Sequence, residues 1–230
     1  MEEEEQQQQK TILEQVFGES SSDSDSDSGD SDREWKCIEE VKGLWLCTHF
    51  LSIHHQSLLL SAIESENWFS DHHPEINQAM RFGHQNLPPW AQTLAHSIRR
   101  SAPTQPTTTT FPFQREPLFD QMIVNVYHPG EGIAAHVDLL RFDDGIAIVS
   151  LESSCVMHFS PVPESDEPGS GPESVPVLLL PGSLVLMSGE ARYRWKHEIN
   201  RRPGFQSWQG QELSQTRRTS ITLRKLCPSQ

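Results

Sequence analysis

A histidine and an aspartate two positions apart follow a predicted strand, and together they could bind a metal ion. His136 and Asp138 close the stretch IAAHVD. Because strand side chains alternate between faces with a period of two, the imidazole and the carboxylate share one face. One distant histidine would complete a 2-His-1-carboxylate triad. Such a triad leaves open positions on the metal and suits non-haem Fe(II).

The third ligand has two candidates. His197 lies in RYRWKHEI, after a predicted strand pair (VLLLPGSLVLMSG) that would return the chain across a barrel. His158, in CVMHFS, lies on a strand much nearer to Asp138. We prefer His197 for its place after the return strand, and His158 stays open as the alternative. A surface histidine beside a capping aspartate would also produce a His-x-Asp pair without any metal.

The stretch RRTSITLR near the C-terminus places two arginines, Arg218 and Arg224, on the polar face of a predicted strand whose other face is mainly apolar. If the polar face points inward, the guanidinium groups need anions, because unpaired buried charge is costly. A small dicarboxylate suits them, since arginine binds carboxylate bidentately. Asn125 and Tyr127, on one face of another predicted strand, would add neutral hydrogen bonds. A solvated edge strand is the alternative explanation for the two charges.

Two helices followed by about eight short strands are predicted to position these side chains. The helices cover 53–67 and 87–100, and a Pro/Thr-rich loop, 101–112, follows them. The strands cover 119–127, 133–138, 146–151, 155–160, 177–180, 183–188, 192–199 and 217–225, with an exposed insert at 160–176. This order predicts a mainly β fold, a jelly-roll-type barrel with the helices packed outside.

The acidic charge is concentrated at the N-terminus. The chain has 230 residues and a net charge of −14, and residues 1–34 hold 12 acidic side chains against Lys10 and Arg33, a net of −10. The Ser/Asp run within this segment cannot bury apolar surface, so we expect a disordered acidic tail, open to an acidophilic kinase or a protein partner. The charge excludes a globally basic protein that coats nucleic acid, but not a local basic groove.

The cysteines and the apolar runs bear on the compartment. None of the four cysteines forms a CxxC pair, which argues against a thiolate zinc site and for a reducing compartment. The N-terminus is unlike a signal or transit peptide, and no apolar run approaches the ~20 residues that span a membrane. We therefore expect a monomer in the nucleus, the cytoplasm or both, neither secreted nor bound to a membrane.

Three segments together resemble the AlkB family of Fe(II)/2-oxoglutarate dioxygenases. They are NVYHPGEGIAAHVD, PGSLVLMSGEARYRWKHEI and RRTSITLR. The family pattern of Asn-x-Tyr, His-x-Asp, a distant His and Arg-x5-Arg occurs here in that order. The resemblance is closest to the branch with the oxygenase domain that acts on wobble uridines of tRNA. It covers about residues 110–226 well and 36–100 loosely.

The resemblance implies a double-stranded β-helix and an oxidative reaction. Fe(II), 2-oxoglutarate and O2 would be used, with 2-oxoglutarate converted to succinate and CO2 while a C–H bond is hydroxylated. A hydroxylated N-methyl group would be lost as formaldehyde. The implied domain spans 35–230, with helical support and lid at 52–110 and the barrel core at about 111–226. The implied iron ligands are His136, Asp138 and His197, and the implied 2-oxoglutarate contacts are Asn125, Tyr127, Arg218 and Arg224.

The resemblance also suggests a substrate, nucleic acid and in particular RNA, with tRNA as one candidate. Base-repairing members often carry an acidic residue at the position of Leu140, which puts that recognition contact in doubt here. Arg81 lies in MRFGHQNLPPW, which resembles a shortened substrate lid, and Arg192 could line a groove for phosphates. The alternatives are a protein or small-molecule substrate for the same chemistry, and a non-catalytic interaction protein that keeps the barrel.

Overall fold

A computed structural model describes residues 34–69, 77–101, 112, 114–163 and 174–228. The acidic tail predicted for 1–34 lies outside the described residues except for Glu34. Most of the Pro/Thr-rich loop and most of the predicted insert at 160–176 lie outside them as well. No helix within the described ranges is long and apolar enough to cross a membrane.

The described residues form two main antiparallel sheets, one two-stranded sheet, three α-helices and a short 3-10 helix at His84–Asn86. The helices are α1 (Ile53–Ser65), α2 (Pro89–Arg100) and the short α3 (Glu190–Tyr193). The first strands are β1 (Trp35–Cys37), β2 (Leu44–Cys47), β3 (Gln78–Phe82), β4 (Gln121–Tyr127), β5 (Ile133–His136), β6 (Ile146–Leu151) and β7 (Cys155–Pro161). The others are β8 (Val175–Leu179), β9 (Leu184–Met187), β10 (Trp195–Ile199), β11 (Ser207–Trp208), β12 (Gln211–Glu212) and β13 (Arg218–Arg224).

The larger sheet has the strand order β1-β2-β9-β6-β13-β4-β3, and the smaller sheet has the order β5-β10-β7-β8. Strands β11 and β12 form a separate hairpin. The two main sheets face each other across a core that includes Ile146 and Ile148 from β6 and Met157 and Phe159 from β7. These side chains alternate along each strand, as one face of a pleated strand requires. The prediction of a double-stranded β-helix is confirmed.

The helices cover the other face of the larger sheet. Leu59 and Ile63 of α1, together with Leu94 and Ile98 of α2, pack on a second core that also takes β-strand residues such as Val149. The buried side chains of each helix recur at a spacing of four residues, so they form one apolar stripe. Each fully buried Leu or Ile side chain contributes about 1.5–3 kcal/mol to this packing. The helices therefore cover the face of the larger sheet that lies away from the site.

Three differences separate the predicted elements from the observed ones. Residues 192–194, predicted to begin a strand, lie in or directly after α3, because Gly189 turns the chain with φ 54° and starts that helix. Strand β3 was not predicted, because QAMRF shows no clean apolar alternation, yet it pairs with β4 along its whole length. Strands β1, β2 and β3 all precede the predicted barrel core and nevertheless join the larger sheet.

Candidate functional site

Two strands of the smaller sheet bring the predicted triad together. His136 ends β5, Asp138 follows two residues later, and β10 pairs with β5 so that His197 lies opposite His136. One ligand atom from each of the three lies within 4.8 Å of the other two. His158 belongs to the opposite face, because it pairs with Glu198, the neighbour of His197, and its ring contacts Phe205. The arrangement therefore groups His197, and not His158, with the other two residues.

The surroundings of both histidines suit them to bind a metal ion. His136 Nδ1 lies 2.8 Å from the carbonyl oxygen of Ala134 and donates to it, which leaves the lone pair on Nε2. Burial, and secondarily the nearby His136, lowers the pKa of His197 to about 4. At neutral pH the His197 imidazole is therefore uncharged, the form that coordinates a metal ion.

The Asp138 carboxylate has one oxygen paired and one without a partner. Its Oδ1 accepts an ion pair from Arg224 Nη2 at 2.7 Å. Its Oδ2 is buried without a hydrogen-bond donor and lies 3.7 Å from His197 Nε2. A buried carboxylate oxygen without a donor is costly, and a cation beside it removes that cost. The donor set of two imidazoles and this carboxylate therefore fits a metal of the Fe(II) type.

Arg218 provides a second buried group without a partner, and this group faces a cavity next to the triad. The residue is 1% exposed, its Nε donates to Ser150 Oγ at 3.0 Å, and both terminal nitrogens are buried without hydrogen-bond acceptors. Its guanidinium carbon lies 5.4 Å from the centre of the Tyr127 ring. A buried guanidinium fork that lacks an acceptor is suited to bind one carboxylate bidentately.

The cavity connects this arginine to the metal-type cluster. Its walls come from β4, β5, β6, β7, β10 and β13, and its lining residues are Asn125, Tyr127, Ile133, His136, Ile148, Met157, His197, Ile199, Arg218, Ser220, Thr222 and Arg224. Arg218 and the ion-paired Arg224 supply positive charge along one wall, and apolar side chains supply the other. A small dianion with an apolar middle fits this distribution, and 2-oxoglutarate is such a dianion.

Asn125 and Tyr127 lie in this cavity as predicted, and their surroundings fix their hydrogen-bonding roles. Asn125 Oδ1 accepts from Gln78 Nε2 at 2.7 Å, so its own amide protons are left for the cavity. Burial raises the pKa of Tyr127, which keeps the phenol protonated as a donor. Gln78 was missed from the sequence because its strand, β3, was not predicted.

The structure places two of the three predicted substrate contacts away from the cavity. Arg192 is 2% exposed and donates only to main-chain carbonyl groups, so it cannot line a groove for phosphates. Arg81 lies one residue out of phase with Gln78, on the side of the sheet away from the cavity, and its guanidinium stacks 4.3 Å from the Trp68 ring centre. Leu140 is 76% exposed in the loop after Asp138, which leaves its predicted place beside the substrate open.

Exposed apolar side chains, here called the apolar rim, come from two elements next to the cavity. Met80 and Phe82 share the β3 face with Gln78, and Leu139 and Leu140 follow Asp138; all four are exposed. The guanidinium of Arg141 lies 5.5 Å from the Phe82 ring centre and so ties the two elements together. Met80 and Phe82 were missed because their spacing of two, in a segment without clean apolar alternation, is too weak a signal to predict a strand.

Comparison with known proteins gives matches in sequence and in structure. The family described as the 2OG-Fe(II) oxygenase superfamily matches residues 43–224. The tRNA (carboxymethyluridine(34)-5-O)-methyltransferase ALKBH8 of Macaca fascicularis is 44% identical over 81 residues, which cover 35% of this chain and 11% of that protein. The alkylated DNA repair protein ALKBH8 homolog of Arabidopsis thaliana is 28% identical over 209 residues, 81% of this chain and 59% of that protein.

The solved structure of OsALKBH1 superimposes with a TM-score of 0.52 at 14% identity, covering 80% of this chain and 96% of that one. This similarity shows a shared fold. The matched region spans only about a tenth of the macaque methyltransferase and less than two thirds of the Arabidopsis protein. The match therefore does not show that this chain has the activities of those longer proteins.

Proposed function

Because the chain belongs to the 2OG-Fe(II) oxygenase superfamily, as an AlkB-type dioxygenase that uses Fe(II), 2-oxoglutarate and O2, we propose that it oxidises a nucleic acid, with RNA as the substrate. The site assignment rests on two buried groups without partners, one in the cavity and one beside it, next to the lining residues His197 and Arg224. Asp138 Oδ2 lacks a donor while the terminal nitrogens of Arg218 lack acceptors. A metal cation and a dicarboxylate satisfy both at once.

The residues of the site divide into two groups. His136, Asp138 and His197 would hold Fe(II), which, once bound, couples the decarboxylation of 2-oxoglutarate to the activation of O2. Arg224 pairs with Asp138 Oδ1 and leaves the second carboxylate oxygen, Oδ2, beside His197. Its own Nε is buried without a partner, so Arg224 also retains a donor for a nearby carboxylate.

The co-substrate would lie between Arg218 and the triad. Arg218 would take the far carboxylate of 2-oxoglutarate, with the Tyr127 hydroxyl as a second donor and the Asn125 amide as a third. The Ser150 hydroxyl fixes the guanidinium through Nε, and the Gln78 side chain fixes the Asn125 amide. These contacts restrict the Arg218 guanidinium and the Asn125 amide before 2-oxoglutarate binds, which lowers the entropy cost of binding it.

The apolar rim supports a nucleic acid rather than a charged peptide as the substrate. Phe82 and the guanidinium of Arg141 offer flat surfaces for stacking, and the leucines beside Asp138 exclude water from a base placed over the metal. Relatives named for tRNA modification and for DNA repair point in the same direction. We propose RNA over DNA because a stretch of 81 residues is 44% identical to the tRNA enzyme.

Nucleoside analysis tests this function. The full-length protein is incubated with Fe(II), 2-oxoglutarate and total tRNA, and the digested nucleosides are compared by mass spectrometry with those from an Asp138→Ala protein. We expect a nucleoside that gains an oxygen atom or loses a methyl group in the first sample alone. If succinate forms but no RNA or DNA nucleoside changes, the nucleic-acid assignment fails and a protein or small-molecule substrate takes its place.

Removing an aromatic ring from the apolar rim should weaken the use of RNA alone. We expect Phe82→Ala to lower RNA-stimulated turnover by about tenfold, because one base stack is worth about 1–3 kcal/mol. The slow turnover of 2-oxoglutarate without RNA should not change. Phe205→Ala is the matched control, because Phe205 is as exposed as Phe82 but contacts His158 on the other face of the smaller sheet. Equal losses in the two variants would contradict the rim assignment.

A further inference from the structure

A buried arginine outside the cavity holds the loop that carries Asp138. Arg192, in α3, donates from Nη1 to the carbonyl oxygen of Asp138 at 3.0 Å. Its Nη2 donates at 2.9 Å to the carbonyl oxygens of Leu139 and Phe142. All three acceptors belong to the loop 138–142, so one guanidinium fixes both ends of that loop.

The Asp138 end of this loop needs an anchor because the β5 ladder ends before it, whereas Phe142 at the far end pairs with Leu226. β5 stops at His136, so the main chain of Asp138 has no strand partner to set its position. Arg224 pairs with the Asp138 carboxylate from β13, and Arg192 binds the Asp138 main chain from α3. One arginine therefore orients the side chain and the other locates the backbone.

The element that carries Arg192 is itself tied to turns that lead into strands β2 and β6 of the larger sheet. The main-chain N–H of Ala191 donates to the carbonyl oxygen of Lys42 at 2.9 Å, and that of Gly189 donates to Asp144 Oδ1 at 2.9 Å. Through its hydrogen bonds, Arg192 therefore links the loop 138–142 to the part of the fold that holds α3. A buried charge is a costly way to fill space, since apolar residues of similar volume pack at least as well. An apolar residue cannot replace the fork of the Arg192 guanidinium, which donates to three carbonyl groups.

We propose that Arg192 is a positioning residue: by holding the main chain of 138–142 it sets the place of Asp138 relative to His136 and His197, and so sets the metal affinity of the triad. The inference rests on the metal site proposed above. Residues that orient metal ligands from outside typically change metal affinity by about 10- to 100-fold when they are replaced. Arg192→Lys keeps the charge but loses the fork, so we expect its affinity for Co(II) to fall by at least about tenfold.

The test uses Co(II) in place of Fe(II), in the absence of 2-oxoglutarate and O2. The visible absorption of bound Co(II) gives both the Kd and a spectrum that reports ligand geometry, and thermal unfolding without metal gives the stability. Arg192→Lys and Arg192→Gln are compared with the matched control Arg115→Lys. Arg115 also binds three main-chain carbonyl groups, those of Leu118, Asp144 and Gly145, but none in the loop 138–142.

We expect all three variants to lose stability, but only the Arg192 variants to lose Co(II) affinity and to shift its spectrum. Arg192→Lys with the wild-type Kd and spectrum would overturn the proposal. So would equal losses of affinity in Arg115→Lys, or failure of both Arg192 variants to fold, since the residue would then serve the fold in general. If the wild-type protein itself binds no Co(II), the proposed metal site fails, and that outcome is distinct from a failure at Arg192 alone.

Discussion

Replacing Asp138 by Ala is expected to abolish the conversion of 2-oxoglutarate to succinate. Asp138 supplies the carboxylate of the proposed triad, and its loss would leave two histidines beside the partly buried guanidinium of Arg224. Metal affinity should fall by more than the ~100-fold typical of residues that only support a ligand. Succinate measured by mass spectrometry, with and without added Fe(II), checks this result.

Two variants make the Asp138 result specific. Asp138→Asn keeps the volume of the side chain, so its expected inactivity cannot be attributed to a cavity. His158→Ala should retain metal binding and turnover, because that ring lies on the other face of the smaller sheet. Loss of metal in His158→Ala, together with its retention in His197→Ala, would show that the third ligand has been assigned to the wrong histidine.

Arg218→Lys is expected to raise the KM for 2-oxoglutarate by about 10- to 100-fold. An ammonium group cannot reproduce a bidentate fork, and one hydrogen bond to a charged group is worth about 1.5–3 kcal/mol. The kcat should change less than the KM, because Arg218 would bind the end of 2-oxoglutarate that does not react. Steady-state kinetics with varied 2-oxoglutarate separates the two constants.

Arg217→Lys is the control for Arg218. It is the adjacent residue on the chain, but its side chain is 45% exposed and pairs with Glu152 at 2.9 Å outside the cavity. We expect its KM to stay at the wild-type value. Neither variant should change the salt dependence of RNA binding, to which each phosphate contact adds roughly one unit of slope. An Arg218→Lys protein with normal KM and a shallower slope would assign Arg218 to RNA.

The residues of the triad could be predicted because short patterns determine their geometry. The spacing of two identified His136 and Asp138, although β5 ends at His136 and Asp138 lies in the loop that follows. The pairing of β10 with β5 brings His197 opposite His136. The same period identified the polar face of β13, because that face is bounded by arginines and alternates with an apolar one.

Arg192 and β3 could not be predicted because their environment comes from distant parts of the chain. A sequence position with a charged side chain suggests solvent, and only the loop 138–142, folded back on α3, supplies the carbonyl groups that bury Arg192. Likewise, the weak pattern of Gln78–Phe82 becomes a strand through its pairing with β4. The register of this strand decides which face Arg81 lies on. Because the strand was not predicted, Arg81 was expected on the substrate side.

Anaerobic binding of 2-oxoglutarate to the Fe(II)-loaded, full-length protein tests the central claim most directly. The visible absorption that 2-oxoglutarate gives when it binds Fe(II) can be titrated without any nucleic-acid substrate. We predict saturation at one 2-oxoglutarate per chain, no absorption with Asp138→Ala, and a weaker Kd with Arg218→Lys but not with Arg217→Lys. Two results would contradict the assignment of this cavity as the site of Fe(II) and 2-oxoglutarate. One is a wild-type protein without saturable absorption, and the other is an Asp138→Ala protein with the same absorption as the wild type.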